Sequence, residues 1–379
     1  MSQALERHLK RRSTLCVLAA VVTVAGSLLA SPSAAATPTE ATPATEPTAY
    51  GVDTRPVGKT PAQLRAFWTP ERLEAALRNP ADARPVRAGD LTGQGTGNRR
   101  AAEVAPPTAS AAAVPPAGAT TARPPLSTQA TVSVSQRVSN PAAWPTSAVG
   151  RLFYSNQAET EWYTCSGTSI VSTGGNAVWT AGHCLHQGSG GNSGWMANHV
   201  FIPAYGFNSN PYGWFFGVSI IAPSAWTDGA DLEGSDVGAL LVVPETGSNS
   251  LLTTVGGWGY QFNGATAYSN ARSYGYPVIG YNRPASDFAD GEYMMYCEGN
   301  TSDADNLNPF DDRLRLSCDM GGGASGGPLV INVGSSNIQI VGTNSHRNVD
   351  NNGNYNNNWL YSSNHGGTAA SVINAVNNS

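Results

Sequence analysis

Three short segments of the sequence carry side chains that could act together in nucleophilic chemistry. In chain order they are TAGHC with His183, GSDVGALLV with Asp236 and GGGASGGP with Ser325. Acyl transfer needs a hydroxyl, an imidazole that accepts its proton, and a carboxylate that fixes the imidazole tautomer. The three segments therefore favour Ser325 as the nucleophile, His183 as the general base and Asp236 as the group that orients the base.

The glycines around the serine add a second requirement of this chemistry. They allow a tight turn that exposes the backbone N–H groups of Gly323 and Ser325 on one side, as an oxyanion hole requires. Each segment alone also fits an ordinary role: a glycine-rich loop, a core histidine, or an aspartate at the start of a strand. The interpretation therefore depends on the combination of the three.

The residues of these motifs and their order along the chain resemble those of the trypsin-like (chymotrypsin-fold) serine peptidases. The likeness to the bacterial branch that includes glutamyl endopeptidases is carried by VGRLFYSN, CSGTSIVS and SCDMGGGASGGPLV. The resemblance covers about 145–379. It implies an all-β fold, a double antiparallel β-barrel with the active site between the barrels. It also implies hydrolysis of protein or peptide substrates through an acyl-enzyme on Ser325, without a cofactor or a metal.

Two departures from that family concern activation and the pocket. Animal members usually have an aspartate directly before the nucleophile, which pairs with the new N-terminal amine after activation, whereas this chain has Ala324. Activation by that ion pair is therefore not available. Cys318 lies seven residues before Ser325 rather than the usual four, which indicates a remodelled loop beside the specificity pocket.

The resemblance also gives candidates for substrate binding. Asp319 lies six residues before the nucleophile, where trypsin-type enzymes keep a carboxylate for Arg or Lys substrates. In the strand that lines the substrate, Ser345, His346 and Arg347 are further candidates, and His346 or Arg347 could receive an acidic side chain. Asn344 stands where glutamyl endopeptidases carry a histidine. We expect an acidic or mixed preference, and a solvated loop is the alternative for His346 and Arg347.

The elements that position these residues are predicted to be strands. From about residue 131, short apolar runs alternate with turns rich in Gly, Asn and Ser, which favours an all-β sandwich or barrel. Within this region, only residues 368–379 have helical spacing. Four cysteines of this region allow three pairings, of which the nearest-neighbour pairing is Cys165–Cys184 with Cys297–Cys318. The first of these bridges flanks His183 as in the family that the chain resembles.

The N-terminus predicts export. Residues 1–36 combine a basic stretch, an apolar run of sixteen residues and a set of small residues, which is the pattern of a secretory signal peptide. A retained N-terminal anchor is the alternative. Cys16 lies in the expected signal and would be removed with it, which leaves four cysteines. Disulfides persist in exported proteins, so this even number agrees with secretion. We expect a secreted protein, monomeric, with no membrane attachment after signal cleavage.

Residues 37–130 are interpreted as a pro-segment and an Ala/Pro/Thr-rich linker before a peptidase domain at 131–379. Residues 60–80 have helical spacing, whereas 104–130 have almost no charge and are predicted to bury no core. Residues 1–130 hold 14 basic and 9 acidic residues, a net of +5, and 131–379 hold 7 and 17, a net of −10. This acidic domain argues against nucleic-acid binding. We hypothesise that the pro-segment covers or templates it electrostatically as an intramolecular inhibitor.

Two other functions compete with this interpretation. GASGG also satisfies the G-x-S-x-G pattern of α/β-hydrolase esterases, which requires a helix after the serine and a downstream acid before a histidine. Here Pro328 and an apolar run follow the serine instead of a helix. Downstream of Ser325, Asp350 followed by His365 is the only pair in which an acid precedes a histidine. The chain could also be a catalytically inactive secreted binding protein on the peptidase fold.

Overall fold

Short strands dominate the computed structural model of the protein. It describes residues 50–81, 86–87, 108–119, 131–206, 209–229, 234–304 and 313–379. The strands within these ranges are β1 Val52–Pro56, β2 Val86–Arg87, β3 Ala109–Ala111, β4 Val132–Arg137, β5 Val149–Ser155, β6 Trp162–Ile170, β7 Ala177–Thr180, β8 Ala197–Pro203, β9 Phe215–Pro223, β10 Gly238–Pro244, β11 Gly259–Phe262, β12 Ala271–Gly275, β13 Met295–Gly299, β14 Ser302–Asp303, β15 Leu314–Ser317, β16 Pro328–Ile331, β17 Gln339–His346, β18 Asn348–Val349 and β19 Trp359–Asn364. The α-helices are α1 Pro61–Phe67, α2 Pro70–Leu77, α3 Ser224–Thr227, α4 Leu251–Val255 and α5 Gly367–Asn377.

The first half of the fold is a closed barrel of six antiparallel strands. Their hydrogen-bonded order is β9–β10–β7–β6–β5–β8, and β8 pairs again with β9 to close the barrel. Large side chains fill its interior, and Phe153, Trp179 and Phe216 are at most 1% exposed. This barrel carries the segments that contain His183 and Asp236.

The second half is an open sheet of ten strands that carries Ser325. Its main order is β14–β15–β19–β17–β16–β12–β13–β4, and β11 joins β17 with β3 beside it. Every described pairing in this sheet is antiparallel except β11 with β17. The all-β prediction with two barrel-like sheets is confirmed, and the second sheet is open rather than closed.

Helix α5 confirms the helix predicted at the C-terminus. It buries Ala369, Ala370, Val372, Ile373 and Val376 and packs on β9 and β10 of the first barrel. The apolar residues recur at helical spacing, so one face of the helix lies on the barrel. The C-terminus of the second half is thereby fixed to the first half.

Two disulfides connect the strands to the segments that carry the candidate catalytic residues. Cys165 on β6 is bonded to Cys184, directly after His183. Cys297 on β13 is bonded to Cys318, in the loop that leads to Ser325. The nearest-neighbour pairing is the one that the structure contains.

Residues 50–81 pack against the first barrel. Helices α1 and α2 begin after Thr60 and Thr69, whose side chains accept hydrogen bonds from backbone N–H groups of the first turn. The side chains of Leu64 and Trp68 are at most 1% exposed, and the indole of Trp68 donates a 2.7 Å hydrogen bond to the carbonyl of Asn198. Strand β1 also pairs with β9. This part of the expected pro-segment therefore shares the hydrophobic core of the barrel.

Part of the expected linker is also ordered, which corrects the prediction for 104–130. Residues 109–111 form β3 beside β11, and Val114 pairs with Gly257. A strand at a sheet edge is held by backbone hydrogen bonds, so the small side chains of this segment suffice. Residues 104–107 and 120–130 and the expected signal at 1–36 lie outside the described residues. Among the described residues, no helix is long and apolar enough to cross a membrane.

Candidate active site

His183 lies in a single 3₁₀ turn, Gly182–Cys184, directly after β7. A side chain at Gly182 would lie 2.9 Å from the indole of Trp226, so the close packing of this turn requires glycine. The disulfide at Cys184 fixes the other end of the turn. The imidazole is 8% exposed and is therefore held in place by its surroundings.

Asp236 is fully buried just before β10 and orients the imidazole. Its carboxylate accepts hydrogen bonds from the His183 backbone N–H at 2.8 Å, from His183 Nδ1 at 2.9 Å and from the Ser345 hydroxyl at 2.6 Å. Burial raises the pKa of Asp236, but the attraction of His183 and the hydrogen bonds from His183 and Ser345 outweigh burial, so the pKa lies below its ordinary value. The carboxylate is therefore ionised and faces Nδ1 of the imidazole.

Ser325 sits in a tight turn before β16. Gly326 has φ +79°, and a Cβ there would lie 2.1 Å from the hydroxyl of Thr180 and 2.4 Å from the carbonyl of Ser166. Only glycine fits this position. A strand beginning at Pro328 follows the turn. The nucleophile elbow of an α/β-hydrolase needs a helix at that point, so the structure does not support the interpretation of the chain as an α/β-hydrolase esterase.

The two halves of the candidate triad meet at Ser345. Its hydroxyl contacts Asp236, and its carbonyl lies 3.4 Å from Ser325 Oγ. Ser325 Oγ, however, donates to the carbonyl of Ala81 at 3.1 Å. His183 Nε2 is buried and has no hydrogen-bond partner among the described residues. The hydroxyl hydrogen is thus directed towards Ala81 rather than towards the imidazole.

Ala81 belongs to the expected pro-segment and occupies the candidate oxyanion hole. Its carbonyl also accepts from the Gly323 N–H at 3.4 Å, and its own N–H donates to the Thr164 carbonyl at 3.0 Å. Two residues earlier, the Asn79 side chain donates to the carbonyl of Trp162 at 3.0 Å. The methyl group of Ala81 packs in the same buried cluster as the Cys165–Cys184 disulfide. We call residues 79–81 the strap.

The four candidates for substrate binding are all buried, and each has partners within the protein. Besides the bond of Ser345 to Asp236, the carboxylate of Asp319 accepts from the Ser135 N–H and from Arg283, both within 2.9 Å. The His346 ring stacks on Tyr361 and contacts Arg313.

Arg347 lies at the loop that leads to Ser325. Its guanidinium donates to the carbonyls of Cys318 and Met320 and lies over the rings of Tyr281 and Tyr355. A buried cation is thus fixed against this loop.

Several residues that shape this site did not emerge from the sequence. Ala81 and Trp226 carry no motif, and Ser166 follows the half-cystine Cys165 without any pattern that marks it. Their roles depend on contacts between distant segments. The position of Ser166 directly after Cys165 is the one local signal, because the disulfide partner Cys184 is adjacent to His183.

Comparison with known proteins matches the fold of this chain to that of solved peptidases. No family model and no curated protein matches the chain. The crystal structure of the protease Anisep from Arthrobacter nicotinovorans matches with a TM-score of 0.54 and 29% sequence identity, covering 65% of this chain and all of that one. The thermostable serine protease AL20 from an extremophilic microorganism matches with a TM-score of 0.52 and 23% identity, covering 62% of this chain and 98% of that one. The fold is the two-barrel, chymotrypsin-type fold of these proteins.

Proposed function

We propose that this chain, a trypsin-like serine peptidase by its fold and its likeness to solved proteases, is a secreted endopeptidase that acts through Ser325. In this mechanism His183 takes the proton of the Ser325 hydroxyl while Asp236 holds the imidazole tautomer and stabilises the imidazolium. The observation that carries the proposal is the buried carboxylate of Asp236, which bonds both His183 and Ser345 at the point where Ser325 approaches.

The oxyanion of the tetrahedral intermediate would be bound by the backbone N–H groups of Gly323 and Ser325. Support comes from the carbonyl of Ala81, which already accepts a hydrogen bond from Gly323. The Gly323 N–H is therefore directed at a carbonyl oxygen, as it would be directed at the carbonyl of a substrate. Donors that are fixed before the reaction stabilise the developing charge without reorganisation.

Secretion and removal of the N-terminal part are the second element of the proposal. The apolar N-terminal run and the two disulfides support export. The solved Arthrobacter protease is covered completely by 65% of this chain, which is about 246 of 379 residues. That is close to the length of 131–379. We therefore assign 131–379 as the mature peptidase domain and 37–130 as its pro-segment.

The pro-segment is proposed to inhibit the enzyme through the strap. With the Ala81 carbonyl bonded to Ser325 and Gly323, the nucleophile is not hydrogen-bonded to its base. Charge contributes through the ion pairs Lys59–Glu159 and Arg65–Glu245, which are partly exposed and therefore weak. The buried side chains of α1 and the segment after it contribute more than these ion pairs do, so the electrostatic cover is only part of the attachment.

Arg347 is proposed to give a preference for acidic substrate side chains. Its buried guanidinium lies against the loop before Ser325, whereas the carboxylate of Asp319 in the same loop is paired with Arg283. An anionic side chain would be favoured beside this fixed cation. Arg347→Gln is expected to lower the ratio of cleavage after Asp or Glu to cleavage after Ala by about tenfold, roughly the effect of one close charge pair.

A peptide-library digest measures this ratio for the secreted enzyme. Arg315→Gln is the matched control, because Arg315 lies on β15 with its guanidinium on the ring of Trp359. An unchanged ratio in Arg347→Gln, or an equal fall in both variants, would show that Arg347 does not set the preference for acidic side chains. The catalytic proposal would be unaffected by that result.

The catalytic proposal is tested by covalent labelling. A fluorophosphonate should react with the secreted, processed protein at Ser325 and nowhere else, because only an activated hydroxyl attacks this reagent at a useful rate. His183→Ala should abolish the labelling. Mass spectrometry of the labelled peptide identifies the residue.

Other outcomes point to other functions. A processed protein that is folded but does not react would indicate a binding protein on this fold. Labelling that survives His183→Ala but is lost in His365→Ala would indicate an esterase-like arrangement. In this structure His365 is buried between Trp179 and Phe262 and its Nε2 contacts the Thr343 hydroxyl, so we expect no such dependence.

A further inference from the structure

The direction of the Gly323 N–H is not fixed by local sterics. Gly323 has φ +93°, which glycine adopts readily because it has no Cβ, and two more glycines precede it. Such a loop has many accessible conformations. The two peptide groups on either side of the Gly323 Cα must therefore be held by hydrogen bonds from elsewhere if the N–H is to point at the oxyanion.

The peptide group before Gly323 is held by backbone. The carbonyl of Gly322 accepts a 2.8 Å hydrogen bond from the N–H of Val278. This bond fixes the plane that contains the Gly323 N–H. Because both groups are main-chain atoms, the bond does not depend on the identity of a side chain.

The peptide group after Gly323 is held by the side chain of Ser166. The Ser166 hydroxyl donates to the Gly323 carbonyl at 2.8 Å, and its oxygen accepts from the Tyr276 N–H at 2.9 Å. The direction of the hydroxyl hydrogen is thus determined. The Ser166 backbone N–H also donates to the Ser325 carbonyl at 2.7 Å. Ser166, on β6 of the first barrel, therefore holds the turn of the nucleophile by hydrogen bonds to the carbonyls of both Gly323 and Ser325.

We propose that Ser166 is a positioning residue for the oxyanion hole of the proposed peptidase. It acts through Gly323 and does not touch the substrate. In animal members of the family that the chain resembles, the residue before the nucleophile pairs with the new N-terminal amine after activation. Here that residue is Ala324, fully buried in a cluster with Phe288 and Met295. The Ser166 hydroxyl supplies a polar anchor to the loop without a free N-terminal amine.

The test compares Ser166→Ala with Ser169→Ala. Ser169 lies on the same strand and is equally buried, but its hydroxyl has no hydrogen-bond partner among the described residues. The full chain is secreted and processed, and kcat is calculated per site titrated with fluorophosphonate. Loss of one oxyanion donor lowers kcat by about 100- to 1000-fold, so loosening its support in Ser166→Ala should cost about 10- to 100-fold. KM should change less than about threefold, and a peptide aldehyde should bind more weakly by the same factor as kcat falls.

A merely structural role of Ser166 would lower the melting temperature but leave kcat per titrated site unchanged, and that result would overturn the proposal. So would equal effects of Ser166→Ala and Ser169→Ala. If Ser166→Ala is not secreted, Ser166→Thr and Ser166→Val are compared, because they have the same shape and only threonine can donate. Equal kcat values in that pair also overturn it. The proposal depends on the proposed function, which fails separately if the wild-type protein neither cleaves peptides nor labels at Ser325.

Discussion

Asp236→Asn is expected to lower kcat by about 10⁴-fold with little change in KM. Oδ2 of the carboxylate accepts from His183 Nδ1 and from the Ser345 hydroxyl, whereas Oδ1 accepts from the His183 backbone N–H, and an amide cannot accept at both of its ends. The backbone N–H can only donate, so the amide oxygen would take the Oδ1 position and the NH₂ group would face Nδ1 and the Ser345 hydroxyl, both of which can accept. The imidazole would then adopt the tautomer that carries its proton on Nε2. His183 could then no longer take the proton of Ser325. Steady-state kinetics on a peptide substrate measure the effect.

Asp350→Asn is the control for this substitution. Asp350 is a carboxylate in an exposed turn, where it accepts hydrogen bonds from the backbone of Asn352 and Asn354. The kcat of Asp350→Asn should match that of the wild type. If Asp236→Asn retains more than about a tenth of the wild-type kcat, the imidazole does not act as the general base in the proposed way.

The same carboxylate predicts how stability depends on pH. Its pKa is lower in the folded state than the ordinary value of 3.8, so the folded state binds the proton less readily than the unfolded chain does. The resulting stabilisation is complete above pH 3.8 and is lost as the pH falls through the lower, folded-state pKa. The difference in unfolding free energy between wild type and Asp236→Asn should therefore be largest near neutral pH and shrink in acid.

The sequence was sufficient to predict the features that depend on neighbouring residues. The small Gly182 and the half-cystine Cys184 mark the turn that holds His183, and the glycines around Ser325 mark the turn of the candidate nucleophile. The helices at 60–80 were also predicted, since Thr60 and Thr69 are followed directly by proline. In each case the physical cause lies within a few residues.

The features that the sequence did not predict depend on distant contacts. Ala81 and Ser325 are 244 residues apart, and Ser166 and Gly323 are 157 apart. An alanine or a serine carries no signal of such a partner, because its chemistry is ordinary until the barrels assemble. Arg347 was recognised only as a charge, and its burial against the carbonyls of Cys318 and Met320 follows from the pairing of β17 with β16 and β19.

The helical pattern at 60–80 likewise did not predict the surface on which these helices pack. The spacing of Leu64 and Trp68 predicted one apolar face but not which strands it would cover. In the structure this face lies on the first barrel, and the chain then continues to the strap at the active site. The position of Ala81 is therefore determined by the anchoring of α1 and α2.

Ala81→Trp is expected to raise the rate at which the uncleaved chain reacts with fluorophosphonate by at least about tenfold. Ala81 is 7% exposed and belongs to the buried cluster that contains the Cys165–Cys184 disulfide, so an indole does not fit there. The strap would be displaced, and the Ser325 hydroxyl would be free to bond His183. Labelling is followed on the full-length band, which separates the uncleaved chain from the processed enzyme. The matched control is Ala66→Trp, an exposed alanine in α1, which should label as slowly as the wild type.

The same variant separates two ways in which a pro-segment could keep the enzyme inactive. If the strap only covers a site that Ser166 and Val278 have already shaped, uncleaved Ala81→Trp should also hydrolyse peptides, because no new N-terminus is needed to form the oxyanion hole. If it labels quickly but does not hydrolyse, the loop at Gly323 still requires processing. Uncleaved wild-type protein that labels as fast as the processed enzyme would show that the contact between Ala81 and Ser325 does not inhibit. Displacement of one carbonyl, rather than reordering of the site, is the event we expect to start catalysis.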